Sequence, residues 1–220
     1  MKQAGRGFIF DLNGTMINDM KFHIDAWFRI VNGLGANLNY QQVKAECYGK
    51  NGEVLERIFP GRFSDEEKDK ISIDKETKYQ QEFRPFLKLI DGLDTLLQQA
   101  KEHNVPMAIG SAAIMFNIDF VLDGLDLRNY FGAIISADDV IKSKPDPETF
   151  LKCAEGLSIA PENCIVFEDA PKGVEAAANA GMQSVVLTTM HTADEFSQYK
   201  NIIRFIPDYS GILLSSLINE

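Results

Sequence analysis

The feature that most restricts this chain is an alternation. From residue 88 onward, short apolar runs of strand length take turns with amphipathic helical stretches. Strands are expected at residues 105–109, 132–136, 164–167, 184–187 and 204–206, with helical patterns between them, as at 93–102 and 147–157. Strand alternating with helix at this spacing points to a parallel, doubly wound α/β sheet with right-handed crossovers. A further run, Gly7-Phe8-Ile9-Phe10-Asp11, is bulky and apolar up to an acid, after which Asn13-Gly14 turns the chain. A strand is expected there too, with a carboxylate at its C-terminal end.

Between residues 18 and 87 the texture is different. Phe22, Ala26 and Ile30, then Val43, Val54 and Ile58, follow helical spacing, and an acidic–basic stretch precedes Phe83. Asp65-Glu66-Glu67-Lys68-Asp69-Lys70 reads as a solvated helix face. The expected organisation is therefore a core of residues 1–17 and 88–220, with residues 18–87 forming an all-helical insert after the first strand.

Composition removes several classes of function. With 220 residues, 45% hydrophobic and 25% charged, the chain is globular and large enough to bury a core without disulfides or a structural metal. Its three cysteines, Cys47, Cys153 and Cys164, contain no C-x-x-C pair and suit neither a disulfide framework nor a zinc site. The apolar run 105–116 is broken by Pro106, Gly110 and Ser111 and is too short to span a bilayer, and no apolar signal segment precedes Asp11. A cytoplasmic protein with no membrane partner is expected. A formal charge of −10, with lysine and arginine scattered among acids, opposes nucleic-acid binding. A small anionic metabolite remains compatible, and the chain is expected to act as a monomer.

In open parallel sheets the ligand site lies outside the carboxyl ends of the strands, where strand order reverses. Four groups meet that demand: Asp11 after the first strand, Ser111 after 105–109, Lys144 in the loop after 132–136, and Glu168-Asp169 after 164–167. Carboxylates, an ammonium and a hydroxyl form a set suited to handling a phosphoryl group with a divalent cation. Mg²⁺ takes oxygen ligands and keeps several waters, so Asp11 and Asp169 suffice as protein carboxylates. A carboxylate can also attack phosphorus to give an aspartyl-phosphate, and Asp11 is the candidate nucleophile. Lys144, Ser111 and backbone N–H groups are available to neutralise the transferring oxygens. Each residue also has a plain structural reading. Asp11 or Ser111 can cap a helix, Glu168-Asp169 can start one ahead of Pro171, Lys144 can be loop charge, His23 can be packed, and Lys50 can be ordinary surface.

Asp11-Leu12-Asn13-Gly14-Thr15, Gly110-Ser111, Lys144-Pro145-Asp146-Pro147 and Glu168-Asp169-Ala170-Pro171-Lys172-Gly173 together resemble the four motifs of the haloacid dehalogenase superfamily, in order and across the whole chain. The similarity is to its β-phosphoglucomutase-like phosphatases. It implies a Rossmann-like core, a helical cap inserted after the first motif, and a Mg²⁺-dependent phosphatase or phosphotransferase acting on a small phosphorylated metabolite, with sugar phosphates foremost. It further implies Asp11 as nucleophile, a metal site of Asp11, the Asn13 backbone carbonyl, Glu168 and Asp169, and phosphoryl contacts from Ser111 and Lys144, supported by Thr15 and Ala112. Closure of the cap would expel water and select substrate.

One position departs from the pattern. The family reads D-x-D-G-T, and its second aspartate is the general acid and base; Asn13 stands there instead. An amide keeps its backbone carbonyl but moves no proton, a loss worth roughly 10²–10⁴-fold in rate. Another proton source such as His23, a different phosphoryl chemistry, or binding with little turnover would each accommodate the change, as would deamidation of Asn13-Gly14 in part of the population. His23-Ile24-Asp25-Ala26-Trp27 resembles the H-x-x-A-W run of the group's first cap helix, and Gly49-Lys50-Asn51-Gly52 falls at its specificity loop. The arginine that grips a second phosphate in the mutases is replaced by Gly52, and Lys50 offers a point charge rather than a bidentate fork. Phosphatase therefore ranks above mutase, with a phosphate-binding pseudoenzyme as the alternative from outside the enzymes.

Overall fold

The computed structural model describes residues 5–218. Along the chain, β1 (Gly7–Phe10) is followed by α1 (Met20–Gly33), α2 (Tyr40–Glu46), α3 (Asn51–Ile58) and α4 (Asp65–Phe83). Next come α5 (Leu93–Glu102), β2 (Met107–Gly110), α6 (Met115–Gly124), β3 (Ala133–Ile135) and α7 (Glu148–Leu157). The chain finishes with β4 (Cys164–Glu168), α8 (Pro171–Asn179), β5 (Gln183–Leu187), β6 (Ile202–Ile206) and the short α9 (Ser215–Ile218). These elements group into two compact units, Asp19–Leu87 and the remainder.

The unit containing the sheet is a parallel, doubly wound α/β structure. Its six strands lie in the order β3-β2-β1-β4-β5-β6, and every pairing is parallel. Because β1, β2 and β4 are buried along their whole length, they read as unbroken apolar runs rather than as alternating ones. One face packs Ile9, Ala108 and Val166 against Phe150 and Cys153 of α7 and Ala176 and Ala177 of α8. On the other, Phe10 stacks on Phe167 at 4.5 Å between centroids, and Phe167 meets Tyr209 at 5.8 Å. Each buried phenylalanine contributes about 1.5–3 kcal/mol relative to exposure. The strand bounds differ from expectation by a residue or two. In particular Val105 and Pro106 stay outside β2, where Pro106 has no N–H to give to a ladder.

This strand order reverses between β1 and β4, so the crevice of the fold lies at their carboxyl ends. Phe10 pairs with Ile109 on one side and with Phe167 on the other, which brings the residues after β1, β2 and β4 to one level. Where the helical segment leaves and rejoins, Ile17 and Leu89 form an antiparallel bridge and Ile90 N–H donates to the Met16 carbonyl at 2.8 Å.

The Asp19–Leu87 unit is all helical. Trp27, Val31, Val43, Val54, Leu55 and Phe59 form its apolar core. Reciprocal capping boxes, Asn39 with Gln42 and Ser64 with Glu67, set the starts of α2 and α4. Ile30 and Ile58, expected on buried faces, are only half-buried. The acidic start of α4 is exposed as expected, but its later turns are not: Ser72, Lys75, Glu76, Tyr79, Gln80 and Phe83 form a mostly polar buried face. Hydrophobic periodicity cannot detect such a face, because the spacing is helical while the residues are not apolar. No helix among the described residues is long and apolar enough to cross a membrane.

Gly92 illustrates how tightly the sheet unit closes around the strand ends. It adopts φ +84°, and a β-carbon there would fall 2.6 Å from the Tyr209 carbonyl carbon and from Ser210 N, while Tyr209 N–H donates to the Asp91 carbonyl at 2.9 Å. Backbone cannot yield as a side-chain tip can. Gly92→Ala is expected to cost more than about 2 kcal/mol, from left-handed strain plus displaced packing, as a lowered urea midpoint with unchanged slope.

Candidate active site

Asp11 ends the apolar run of β1, and its N–H donates to the Phe167 carbonyl at 3.0 Å, which fixes it beside β4. The next residues fold back at once. Thr15 and Met16 N–H groups turn toward the Leu12 carbonyl, and Gly14 takes φ +76° while donating to Ile17 O at 2.8 Å. Asn13 is half-buried at this turn and bridges to Ile17. Glu168 is the last residue of β4, with Asp169 next to it. Asp11, Glu168 and Asp169 offer carboxylate oxygens that all lie within 4.8 Å of one another, and all three residues are buried.

Lys144 arrives from the loop after β3 and stitches this cluster together. Its Nζ donates to Asp11 Oδ1 and to Glu168 Oε1, each at 2.7 Å, and lies 4.6 Å from the centre of the Phe150 ring. Burial alone would favour the neutral amine, but the charges of Asp11 and Glu168 outweigh it and hold the ammonium above the ordinary lysine range. Glu168 Oε2 accepts from the N–H groups of Asp169 and Ala170, each at 2.9 Å. One ammonium, paired with two of the three carboxylates, leaves the acids in excess, which a divalent cation would balance, and the donors are all hard oxygens. The residues present therefore fit Mg²⁺.

Ser111 is almost wholly buried just past β2, its N–H donating to the Ile135 carbonyl at 3.0 Å. The helix after β2 begins at Met115, with Ile114 as its N-cap, so Ser111 does not cap it; its Oγ accepts from Ala113 N–H at 3.1 Å within a loop that contains half-buried Ala112. Thr15 Oγ1 is buried without a hydrogen-bond partner among the described residues, a hydroxyl suited to a polar ligand atom. Ala170, rather than either acid, is the N-cap of α8, and Pro171 opens its first turn.

Two further residues tie the β1 loop in place and were not anticipated. Tyr209 Oη donates to the Thr15 carbonyl at 3.0 Å, and Thr189 Oγ1 donates to the Gly14 carbonyl at 2.8 Å. Burial, then the charges of Asp11, Asp169 and Glu168, push the Tyr209 hydroxyl well above its usual range. Both residues follow a strand, so the strand-end rule contained the signal; Asp208-Tyr209-Ser210-Gly211 simply reads as a turn.

His23 and Lys50 belong to the helical unit. Lys50 is the half-buried N-cap residue of α3, and its N–H donates to Glu53 Oε2 at 3.0 Å. His23 is buried among polar groups that sequence alone did not suggest. Lys75 Nζ lies 2.5 Å from His23 Nδ1 and donates to both Glu76 oxygens at 2.9 and 3.0 Å, and Asn51 Nδ2 donates to Glu76 Oε1 at 2.7 Å. An ammonium only donates, so Nδ1 accepts and the Nε2 hydrogen faces Asp19 Oδ2, 3.2 Å away. Asp19 also accepts from the Tyr79 hydroxyl, whose proton is held well above its ordinary range by burial and then by the Asp19 charge.

Strand order, a strand-end carboxylate cluster and its buried lysine define a Rossmann-like α/β protein with its polar site at the switch point of the sheet. The haloacid dehalogenase-like hydrolase family model matches residues 8–187, and the chain belongs to that family. It is a hydrolase-family enzyme whose relatives include named phosphatases. Fructose-1-phosphate phosphatase YqaB of Escherichia coli is 29% identical over 84% of this chain and 97% of its own. The β-phosphoglucomutase of Bacillus subtilis is 30% identical over 82% of each chain. A family IA, variant 3 hydrolase structure from Entamoeba histolytica superposes with a TM-score of 0.87 at 27% identity, covering 97% of this chain and 98% of that one.

Two tests address the cluster's electrostatics. Lys144→Met leaves Asp11 and Glu168 buried without their shared cation; a loss of about 3–5 kcal/mol is expected in urea unfolding at pH 7. The loop carrying Lys144 is also held by Glu148, whose carboxylate accepts from Lys142 N–H, pairs with Lys152 and accepts from Ile141 N–H, which pulls its pKa down to about 2. A depressed carboxyl stabilises fully above its ordinary value of 4.5 and loses the contribution as pH falls toward 2. The stability gap between wild type and Glu148→Gln should therefore close over that interval in acid titrations followed by circular dichroism.

Proposed function

We propose that this chain is a Mg²⁺-dependent, cytoplasmic, monomeric phosphatase of small phosphorylated metabolites, sugar phosphates foremost, working through phospho-Asp11. The observation that carries the reading is the Lys144 ammonium joined to Asp11 and Glu168 beside Asp169. Asp11, Glu168, Asp169 and the Asn13 carbonyl are the proposed cation ligands, and the cation would supply charge neutralisation at the phosphoryl oxygens. A carboxylate oxygen of Asp11 attacks phosphorus, the ester P–O bond breaks, and the departing alkoxide takes a proton from solvent water; a second water then attacks phosphorus, breaking its bond to Asp11 and releasing inorganic phosphate and the free carboxylate. Lys144, Ser111, Ala112 and Thr15 surround the transferring group. Residues 18–87 would form the cap, with His23 and Lys50 as the cap residues proposed to bear on substrate choice. Free cysteines support a reducing compartment.

Phosphatase is favoured over mutase by the absence of a second cationic grip. Gly52 stands where the mutase arginine would, and Ser111-Ala112-Ala113-Ile114-Met115-Phe116 carries no basic side chain. The mutase reading keeps a place because of the Bacillus subtilis relative. Asn13 leaves the leaving oxygen without its usual acid, so activated aryl phosphates should turn over better than alkyl ones.

A Mg²⁺-dependent screen over sugar, nucleotide and pyrophosphate substrates tests this reading. Asp11→Asn should abolish phosphate release, whereas Asn13→Asp should raise kcat on alkyl phosphates by about 10²-fold or more. Full activity in Asp11→Asn would remove the nucleophile assignment. Isomerisation of a hexose phosphate that needs a bisphosphate primer would favour the mutase.

A further inference from the structure

Gly173 lies in the first turn of α8, where nothing about its own backbone calls for glycine. It is not among the glycines with positive φ, and alanine is the better residue for a helix. The reason for glycine is across the turn. A β-carbon built on Gly173 would fall 1.7 Å from Glu168 Oε1, 1.9 Å from its Cδ and 2.5 Å from Oε2, and these are its three nearest neighbours. A carboxylate at the end of a flexible side chain can usually swing aside at little cost. This one is 2% exposed and is held by Lys144 Nζ at 2.7 Å and by the N–H groups of Asp169 and Ala170 at 2.9 Å each.

We propose that Gly173 is a positioning residue: the space left by its missing side chain is the seat of the Glu168 carboxylate, and through Glu168 it sets the Lys144–Asp11 pair. Any β-carbon at 173 evicts the carboxylate from its three bonds at once. Lys144 then loses one of its two anionic partners, and the metal-ligand cluster loses one of its three members. The consequence for the cation rests on the proposed metal site, whereas the steric coupling of 173 to 168 stands independently of it.

A double-substitution cycle on the full chain separates these layers. In thermal unfolding without added metal, Gly173→Ala should lower Tm in the wild-type background and raise it in a Glu168→Ala background, where helix preference acts unopposed. Glu168→Asp, one methylene shorter, should recover part of the lost Tm when combined with Gly173→Ala. In Mg²⁺ titrations by calorimetry, Gly173→Ala should weaken binding by about 10- to 100-fold, with no additional loss once Glu168 is already alanine. Additive effects on Tm, or a Gly173→Ala protein as stable as wild type, would overturn the proposal. Coupled Tm values with unchanged Mg²⁺ affinity would overturn the step from Glu168 to the cation while retaining the seat. Coupled Tm values in a protein without phosphatase activity on any ester would instead count against the proposed function.

Discussion

The Lys144 ammonium between Asp11 and Glu168 is the interaction on which the organisation of the sheet unit depends. Three buried carboxylates from the ends of two adjacent strands repel one another, and burial removes the water that would screen them. A single cation at 2.7 Å from two of them makes the arrangement tolerable and fixes which oxygen points where. The surrounding structure serves that placement. Phe10 and Phe167 stack beneath it, Glu148 anchors the loop that delivers the lysine, and Tyr209 and Thr189 hold the carbonyls of the β1 loop. The carboxylates still outnumber the ammonium, and the proposed divalent cation would complete the charge balance.

The helical unit has an electrostatic centre of its own, and it is built differently. Asn51, Glu76, Lys75, His23, Asp19 and Tyr79 form a continuous polar chain in which each group satisfies the next. Both ring nitrogens of His23 are committed within it. A histidine in that setting is held in place by its polar neighbours on both sides of the ring. The buried face of α4 exists to carry this chain, which explains why that helix has so little apolar periodicity.

Much of the sheet unit was legible from residue order. The five-residue run ending in Asp11, the strand-end positions of Ser111, Lys144 and Glu168-Asp169, and the helix at 93–102 all appear where the pattern of apolar and polar residues puts them. Their meeting could be anticipated because parallel strands deliver their C-terminal residues to one edge. Ser111 shows the limit of that reasoning. Its neighbours look like a helix start, yet the helix waits until Met115 because the loop first turns back on the serine hydroxyl and on Ile135. Tyr209 and Gly173 show it again, since one looks like part of a turn and the other like a flexible spot.

The chain's order of apolar runs, helical stretches and acids thus determined by itself the class of fold, the division into a sheet-bearing and a helical segment, and which side chains stand at strand ends. These properties depend on local periodicity and on chain connectivity, both of which a linear sequence carries. Only the tertiary structure decided that Lys144 spans Asp11 and Glu168, that Tyr209 closes on the Thr15 carbonyl, that Gly173 makes room for a carboxylate, and that α4 buries Lys75 and Glu76 against His23. Those facts rest on distances between residues far apart in the chain, and the choice of partner for a buried charge is settled by packing and desolvation, which no spacing rule encodes.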